Sequence, residues 1–369
     1  MKLSRRSFIT SSVPLAAASA LALHASPHTT LPLIQEHGSI GKISNQNKGK
    51  TLPPALEPGM TIGITAPASG VSKSEIQSGI NFLKELGYNT VLGKCVFKSS
   101  SSGFLSAPDE QRASEFMEFV ERKDIHAIMS VRGGYGVMRI LPMLNYDMIA
   151  ANPKIIIGYS DITALVNVIY SRCGLVTFHG PMCSSHYDDI TRSSFVKTLS
   201  SNRRPASEEL QPTTVEYSDP TYDVIVEGTA TGILTGGNLT MICATLGTPY
   251  EPVFDNSILF LEDVNEEPYK IDRMLTQLWL SGKLANVKGV VLGVFNHCDP
   301  YQREERFRDY DMTTSLRDVF ESRMSQLNIP VLSRLPIGHI RSKLTLPIGI
   351  QAELDTKKGS LVLLEPSVL

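Results

Sequence analysis

From Thr61 onward the chain alternates short aliphatic runs with amphipathic stretches. Thr61-Ile62-Gly63-Ile64-Thr65-Ala66 is apolar and too short for a helix, which predicts a strand. Ser74-Glu75-Ile76-Gln77 has the spacing of a capping box and predicts a helix that ends before Gly87. The alternation then repeats. A strand is expected near Thr90-Val91-Leu92, a helix from Ser106-Ala107-Pro108-Asp109 to about Glu121, and a strand at Ala127-Ile128-Met129-Ser130-Val131. Lys154-Ile155-Ile156-Ile157 leads into a helix from Asp161 to about Arg172. Aliphatic strands separated by amphipathic helices imply a parallel sheet covered on both faces.

Residues 191–225 break this rhythm with Ser, Thr, Pro and charge, and are read as a linker. Beyond it, Gly232-Ile233-Leu234, Ile258-Leu259-Phe260-Leu261 and the run from Gly289 to Phe295 predict the strands of a mixed domain. The expected fold class is α/β, with an N-terminal parallel-sheet, Rossmann-like domain over 55–190. A smaller mixed α/β C-terminal domain follows over 226–369. The stretch from His297 to Thr314, rich in Arg, Asp and Glu, reads as a solvated excursion before a helix near Ser315. The length of 369 residues fits two domains at about 150 residues each.

Composition narrows the function classes. Thirty-five Lys and Arg against 37 Asp and Glu give a net charge of −2, without the basic footprint that nucleic-acid binding needs. No nucleic-acid partner is expected. The cysteines, Cys95, Cys173, Cys183, Cys243 and Cys298, are scattered singly, with no zinc-ligand spacing. No metal site is expected, and an odd count leaves at least one thiol unpaired. At the N-terminus, Ser4-Arg5-Arg6-Ser7-Phe8-Ile9 precedes an apolar stretch from Val13 to Leu23. That stretch is too short for a hydrocarbon core of roughly 30 Å, so no stable membrane span is expected. The pair of arginines resembles a twin-arginine export signal, with Ala20-Leu21-Ala22 as a cleavage site. Residues 1–25 are therefore read as a removable signal, 26–54 as a linker, and the protein as exported to the periplasm.

The chemistry is expected on loops at the carboxyl ends of the strands. Gly158-Tyr159-Ser160-Asp161 turns abruptly from strand to helix and sets Ser160 at a helix N-terminus, where the Asp161 amide favours negative charge. The arrangement looks like a nucleophile elbow; a simple helix cap has the same signature. Arg132-Gly133-Gly134-Tyr135-Gly136 lets the backbone approach a ligand and offers a second amide donor. A serine needs a base, and both His339 in Pro336-Ile337-Gly338-His339 and His179 in Phe178-His179-Gly180-Pro181 qualify. The orienting carboxylate is Glu262 or Asp263, at the end of an apolar strand.

Taken in order, these segments resemble the LD-carboxypeptidase family, the serine peptidases that include the microcin-immunity hydrolases. Gly236-Gly237-Asn238-Leu239 and Leu261-Glu262-Asp263 with Tyr269 and Asp272-Arg273 complete the set, which runs from about Pro58 to about Leu364. The resemblance implies a catalytic triad of Ser160, Glu262 and His339, with oxyanion amides from Gly134 and Asp161. It implies a homodimer, no cofactor, and a peptidoglycan-derived peptide as substrate, a murein tetrapeptide losing its terminal D-Ala. Arg132 is a candidate anchor for the terminal carboxylate. Cytoplasmic members act in murein recycling, whereas an export signal would place this chain beside the murein itself. Two alternatives remain: hydrolysis of a peptidyl-nucleotide antibiotic, and peptide capture without turnover.

Overall fold

The computed structural model describes residues 49–98, 103–200, 213–216, 223–299 and 314–369, with backbone alone for 213–216. Residues 1–25, where an export signal is expected, most of the expected linker 26–54, and residues 300–313 of the charged excursion lie outside the described residues.

The first half runs β1 (Thr61–Thr65), α1 (Lys73–Glu85), β2 (Asn89–Leu92), α2 (Asp109–Glu121), β3 (Ala127–Ser130), α3 (Val137–Ile140), α4 (Tyr146–Ala151), β4 (Ile155–Gly158), α5 (Thr163–Cys173), β5 (Thr177–His179) and α6 (Asp189–Leu199). The second half continues with β6 (Thr213–Glu216), β7 (Val224–Val226), β8 (Thr229–Asn238), α7 (Leu239–Thr245), β9 (Ser257–Val264), α8 (Pro268–Leu280), β10 (Gly289–Asn296), α9 (Leu316–Met324), β11 (Val331–Gly338), β12 (Leu346–Ile348), β13 (Gln351–Asp355) and β14 (Ser360–Leu363).

Strands β1 to β5 pair in parallel in the order β2-β1-β3-β4-β5. Strands β3 and β4 are buried at every position, as their aliphatic runs require, whereas β2 lies at the edge and is partly exposed. Each fully buried isoleucine of β4 contributes about 1.5–3 kcal/mol of hydrophobic stabilisation. The order reverses between β1 and β3, the kind of switch point where strand ends splay into a crevice.

The second sheet has eight strands in the order β6-β14-β13-β8-β9-β10-β11-β7. Its centre, β8 to β11, is parallel and its flanks are antiparallel. The two sheets share one compact unit, Asn47–Leu369. Asn167 on α5 donates to the Gly236 carbonyl of β8 at 2.8 Å and accepts from Thr235 Oγ1 at 3.1 Å.

Three local expectations are corrected. The N-cap of α1 is Ser72 rather than Ser74: the Glu75 carboxylate accepts from the Ser72 amide at 2.8 Å, so it sits three residues into the helix. The stretch read as a linker from 191 begins inside α6, whose Phe195 is buried against Phe82. It also contributes β6 and β7 to the second sheet. Chain order does not divide the sheets cleanly either, because β12 returns to pair antiparallel with β5, Leu346 opposite His179.

Candidate active site

Strand β4 ends at Gly158, and the chain turns through Tyr159 into a 3-10 turn over Ser160–Ile162 that feeds α5. Ser160 has φ +64°, a left-handed conformation that costs a non-glycine residue free energy and recurs at functional turns. The loop after β3 closes over it. A methyl group on Gly133 would lie 2.7 Å from Ser160 Cβ, 2.8 Å from its Oγ and 3.3 Å from the Asp161 amide nitrogen, so only glycine fits. Gly134, at φ +114°, turns the same loop toward the hydroxyl of Ser69. The buried Asp161 carboxylate accepts from the Val137 amide at 2.8 Å, tying the two loops together. Burial pushes its pKa up to about 6, opposed by the Val137 hydrogen bond and the charge of Arg112.

Two strands of the second sheet bring a carboxylate and an imidazole together. Glu262, on β9, is fully buried, and its Oε2 lies 2.7 Å from Nδ1 of His339, just past β11. A carboxylate can only accept, so Nδ1 carries the proton and Nε2 is left as the basic nitrogen. The backbone carbonyl of His339 accepts from Asn296 Nδ2 at 2.9 Å, which holds the loop. The Tyr159 ring meets the imidazole edge to face at 4.9 Å between centroids, linking the serine turn to the histidine loop.

The neighbouring candidates, Asp263 and His179, make different contacts. Asp263 points the other way from Glu262, accepting from Asn238 Nδ2 at 3.0 Å and from the amide and hydroxyl of Thr240 at 2.9 Å. It fixes the start of α7. His179 is buried at the end of β5, between Tyr159 and Phe260. Burial lowers its pKa to about 4, which makes it neutral at pH 7, and no hydrogen-bond partner of its Nδ1 is found among the described residues.

Residues 62–180 match the LD-carboxypeptidase N-terminal domain, and residues 231–354 match its C-terminal domain. The chain belongs to the LD-carboxypeptidase family. It is thus a serine-type carboxypeptidase. Among its relatives is the "Probable murein peptide carboxypeptidase" of Bacillus subtilis (strain 168), 36% identical over 84% of this chain and 93% of that protein. The solved structure of the microcin C7 self immunity protein MccF, wild type in the apo state, is 29% identical over 86% of this chain and all of that one, with a TM-score of 0.75. A muramoyltetrapeptide carboxypeptidase from Oxalobacter formigenes is 32% identical over 82% of this chain and 98% of that one, with a TM-score of 0.68.

In this serine-type carboxypeptidase a crevice of about 660 Å³ opens at the β1/β3 switch point, lined by Ser69, Glu75, Phe104, Arg132, Gly134 and Tyr135. Arg132 is half exposed, and its guanidinium turns toward Glu75 at 3.7 Å. Lys343 is a residue that the sequence reading passed over. Its side chain is buried, and its Nζ sits 5.3 Å from the centroid of the Tyr159 ring. Burial lowers its pKa to about 8, with Asp188 and Glu262 acting in the opposite direction. The available signal was a lysine four residues after His339, on the threshold of the apolar run Leu344 to Ile348. All five cysteines are buried and free of disulfides, remote in character from reactive thiols.

Proposed function

We propose that the protein is an LD-carboxypeptidase that releases a C-terminal D-amino acid, typically D-Ala, from an L-centre such as meso-diaminopimelate in murein tetrapeptides. The observation that carries this reading is the Glu262–His339 pair, joined through Tyr159 to a serine in a left-handed turn. Ser160 Oγ attacks the carbonyl carbon at the L-centre while His339 Nε2 takes its proton. Glu262 holds the imidazole and stabilises its cation. The amides of Gly134 and Asp161 receive the tetrahedral oxyanion. As the C–N bond breaks, His339 returns the proton to the leaving amine, and water then resolves the acyl-enzyme by the same route.

The similarity to the "Probable murein peptide carboxypeptidase" of Bacillus subtilis (strain 168) supports this substrate class. A second reading, hydrolysis of a peptidyl-nucleotide, has support from the likeness to MccF, which has been solved in complex with aspartyl sulfamoyl adenosine. Incubating the enzyme with purified muropeptides and with a peptidyl-nucleotide separates them by mass spectrometry. Loss of one D-Ala from the tetrapeptide is expected, and cleavage of the nucleotide conjugate alone would overturn the first reading.

The site of action is proposed to be the periplasm, on the strength of Arg5-Arg6 and the apolar stretch that follows. Changing both arginines to lysine should retain the precursor in the cytoplasm; normal fractionation of that variant would reject the twin-arginine route. A homodimer is proposed from the family resemblance, and sedimentation of the purified protein tests it.

A further inference from the structure

Lys343 is 4% exposed. Its backbone amide donates to Thr191 Oγ1 at 3.0 Å, and its ammonium lies over the Tyr159 ring. Among the described residues no carboxylate forms an ion pair with that ammonium, and no acceptor takes a hydrogen bond from it. The two carboxylates that act on it electrostatically are Asp188 and Glu262. Both are engaged elsewhere. Asp188 caps α6 by accepting from the Thr191 amide and also accepts from the Ser342 hydroxyl. Glu262 gives its Oε2 to His339. A buried cation without an ion partner is costly, and the cost is offset when an anion arrives. The ring beneath the ammonium is also the ring that touches the His339 imidazole, so the cation and the imidazole share one aromatic neighbour.

A carboxypeptidase substrate brings such an anion. Its leaving residue carries a free α-carboxylate, separated from the scissile nitrogen by a single carbon. We propose that the Lys343 ammonium receives the free carboxylate of the substrate's C-terminal residue, seated against the Tyr159 ring beside His339. This assignment rests on the carboxypeptidase reading of the site. Arg132 is less suited to the task, because a half-exposed guanidinium facing Glu75 is screened by water and already near a carboxylate.

The test uses a murein tetrapeptide and its C-terminal amide as substrates, and the same two molecules as competitors against labelling of the serine by a fluorophosphonate. The wild-type enzyme should prefer the free acid. Lys343→Met should lower kcat/KM on the free acid about 10- to 100-fold, as loss of a charge-assisted hydrogen bond implies. Turnover of the amide and the labelling rate without competitor should stay within about twofold of wild type. Lys343→Arg should recover part of the preference, and Arg132→Met should keep it. Equal losses on acid and amide in Lys343→Met would overturn the proposal, as would a preference abolished by Arg132→Met and kept by Lys343→Met. Protection from labelling separates this proposal from the reading beneath it. If the wild type releases no D-Ala, yet protection needs both the free carboxylate and Lys343, the anchor stands and the substrate reading falls. If D-Ala is released but neither turnover nor protection depends on Lys343, the anchor alone falls.

Discussion

Glu262 and His339 are 77 positions apart in the chain and 2.7 Å apart in space, carboxylate Oε2 to imidazole Nδ1. The parallel pairings of β9 with β10 and of β10 with β11 bring the two strand ends together. The carboxylate is fully buried, so its hydrogen bond to His339 is unscreened by solvent.

Glu262→Gln should therefore keep the fold and lose activity, because an amide can present its N–H to Nδ1 and stabilise the wrong tautomer. The expected fall in kcat is about 10³- to 10⁴-fold. Ser160→Ala combined with His339→Ala should be little worse than either change alone, since residues that act as a unit give non-additive losses. Multiplicative losses in that double variant, measured with circular dichroism as a control for folding, would break the pairing.

Gly133→Ala places a methyl group 2.8 Å from Ser160 Oγ. The serine or its loop must shift, at a cost of about 1–3 kcal/mol in stability. Turnover should fall by at least about 100-fold, because displacement of about 1 Å at a reacting atom has that effect. Thermal unfolding and fluorophosphonate labelling read the two consequences separately, and near-normal labelling would show that the glycine is not there to make room for the nucleophile.

His179→Ala should behave as a core change. Its imidazole is 1% exposed and packs against Tyr159 and Phe260, so truncation should cost about 2–4 kcal/mol. The rate loss should be well below that of His339→Ala. Equal losses from the two variants would overturn the assignment of the base to His339.

Asp161→Asn tests a pH effect of defined sign. Burial raises the folded-state pKa to about 6 from 3.8, so between those values the folded protein holds a proton that the unfolded chain has released. Stability contributed by this group is thus present in acid and declines as the pH rises through that window, by about 3 kcal/mol at most. The asparagine does not titrate and still accepts from the Val137 amide. Its Tm should vary less than wild type between pH 4 and about 6, while activity is largely kept because the side chain is buried and its hydrogen bond from Val137 survives. Asp263, raised in the same direction to about 6, leaves a residual slope in both proteins. A wild-type Tm that climbs steadily over this range, with the variant parallel to it, would contradict the assignment.

The sequence by itself determined the parts that depend on near neighbours. Continuous aliphatic runs at Ala127–Val131 and Ile155–Ile157 needed burial on both faces, which only a covered parallel sheet provides. Gly133, Gly134 and the abrupt turn at Ser160 marked the loops where backbone geometry is special, and the order of the short motifs pointed to the family. The local pattern did not separate Glu262 from Asp263, because adjacent residues on a strand point to opposite faces and the pattern does not say which face holds the histidine; only the order of the family motifs pointed to Glu262. His179 and His339 were likewise equivalent by spacing alone; the motif order favoured His339, and packing buries the one and pairs the other. The capping box slid by two residues because serine occurs at both 72 and 74, and only the helix geometry decides which amide the Glu75 carboxylate can reach. Lys343 shows the limit most plainly. A lysine in sequence is a solvated charge by default. Its burial against Tyr159 depends on β12 crossing back to the first sheet beside β5, a long-range pairing that no local pattern encodes.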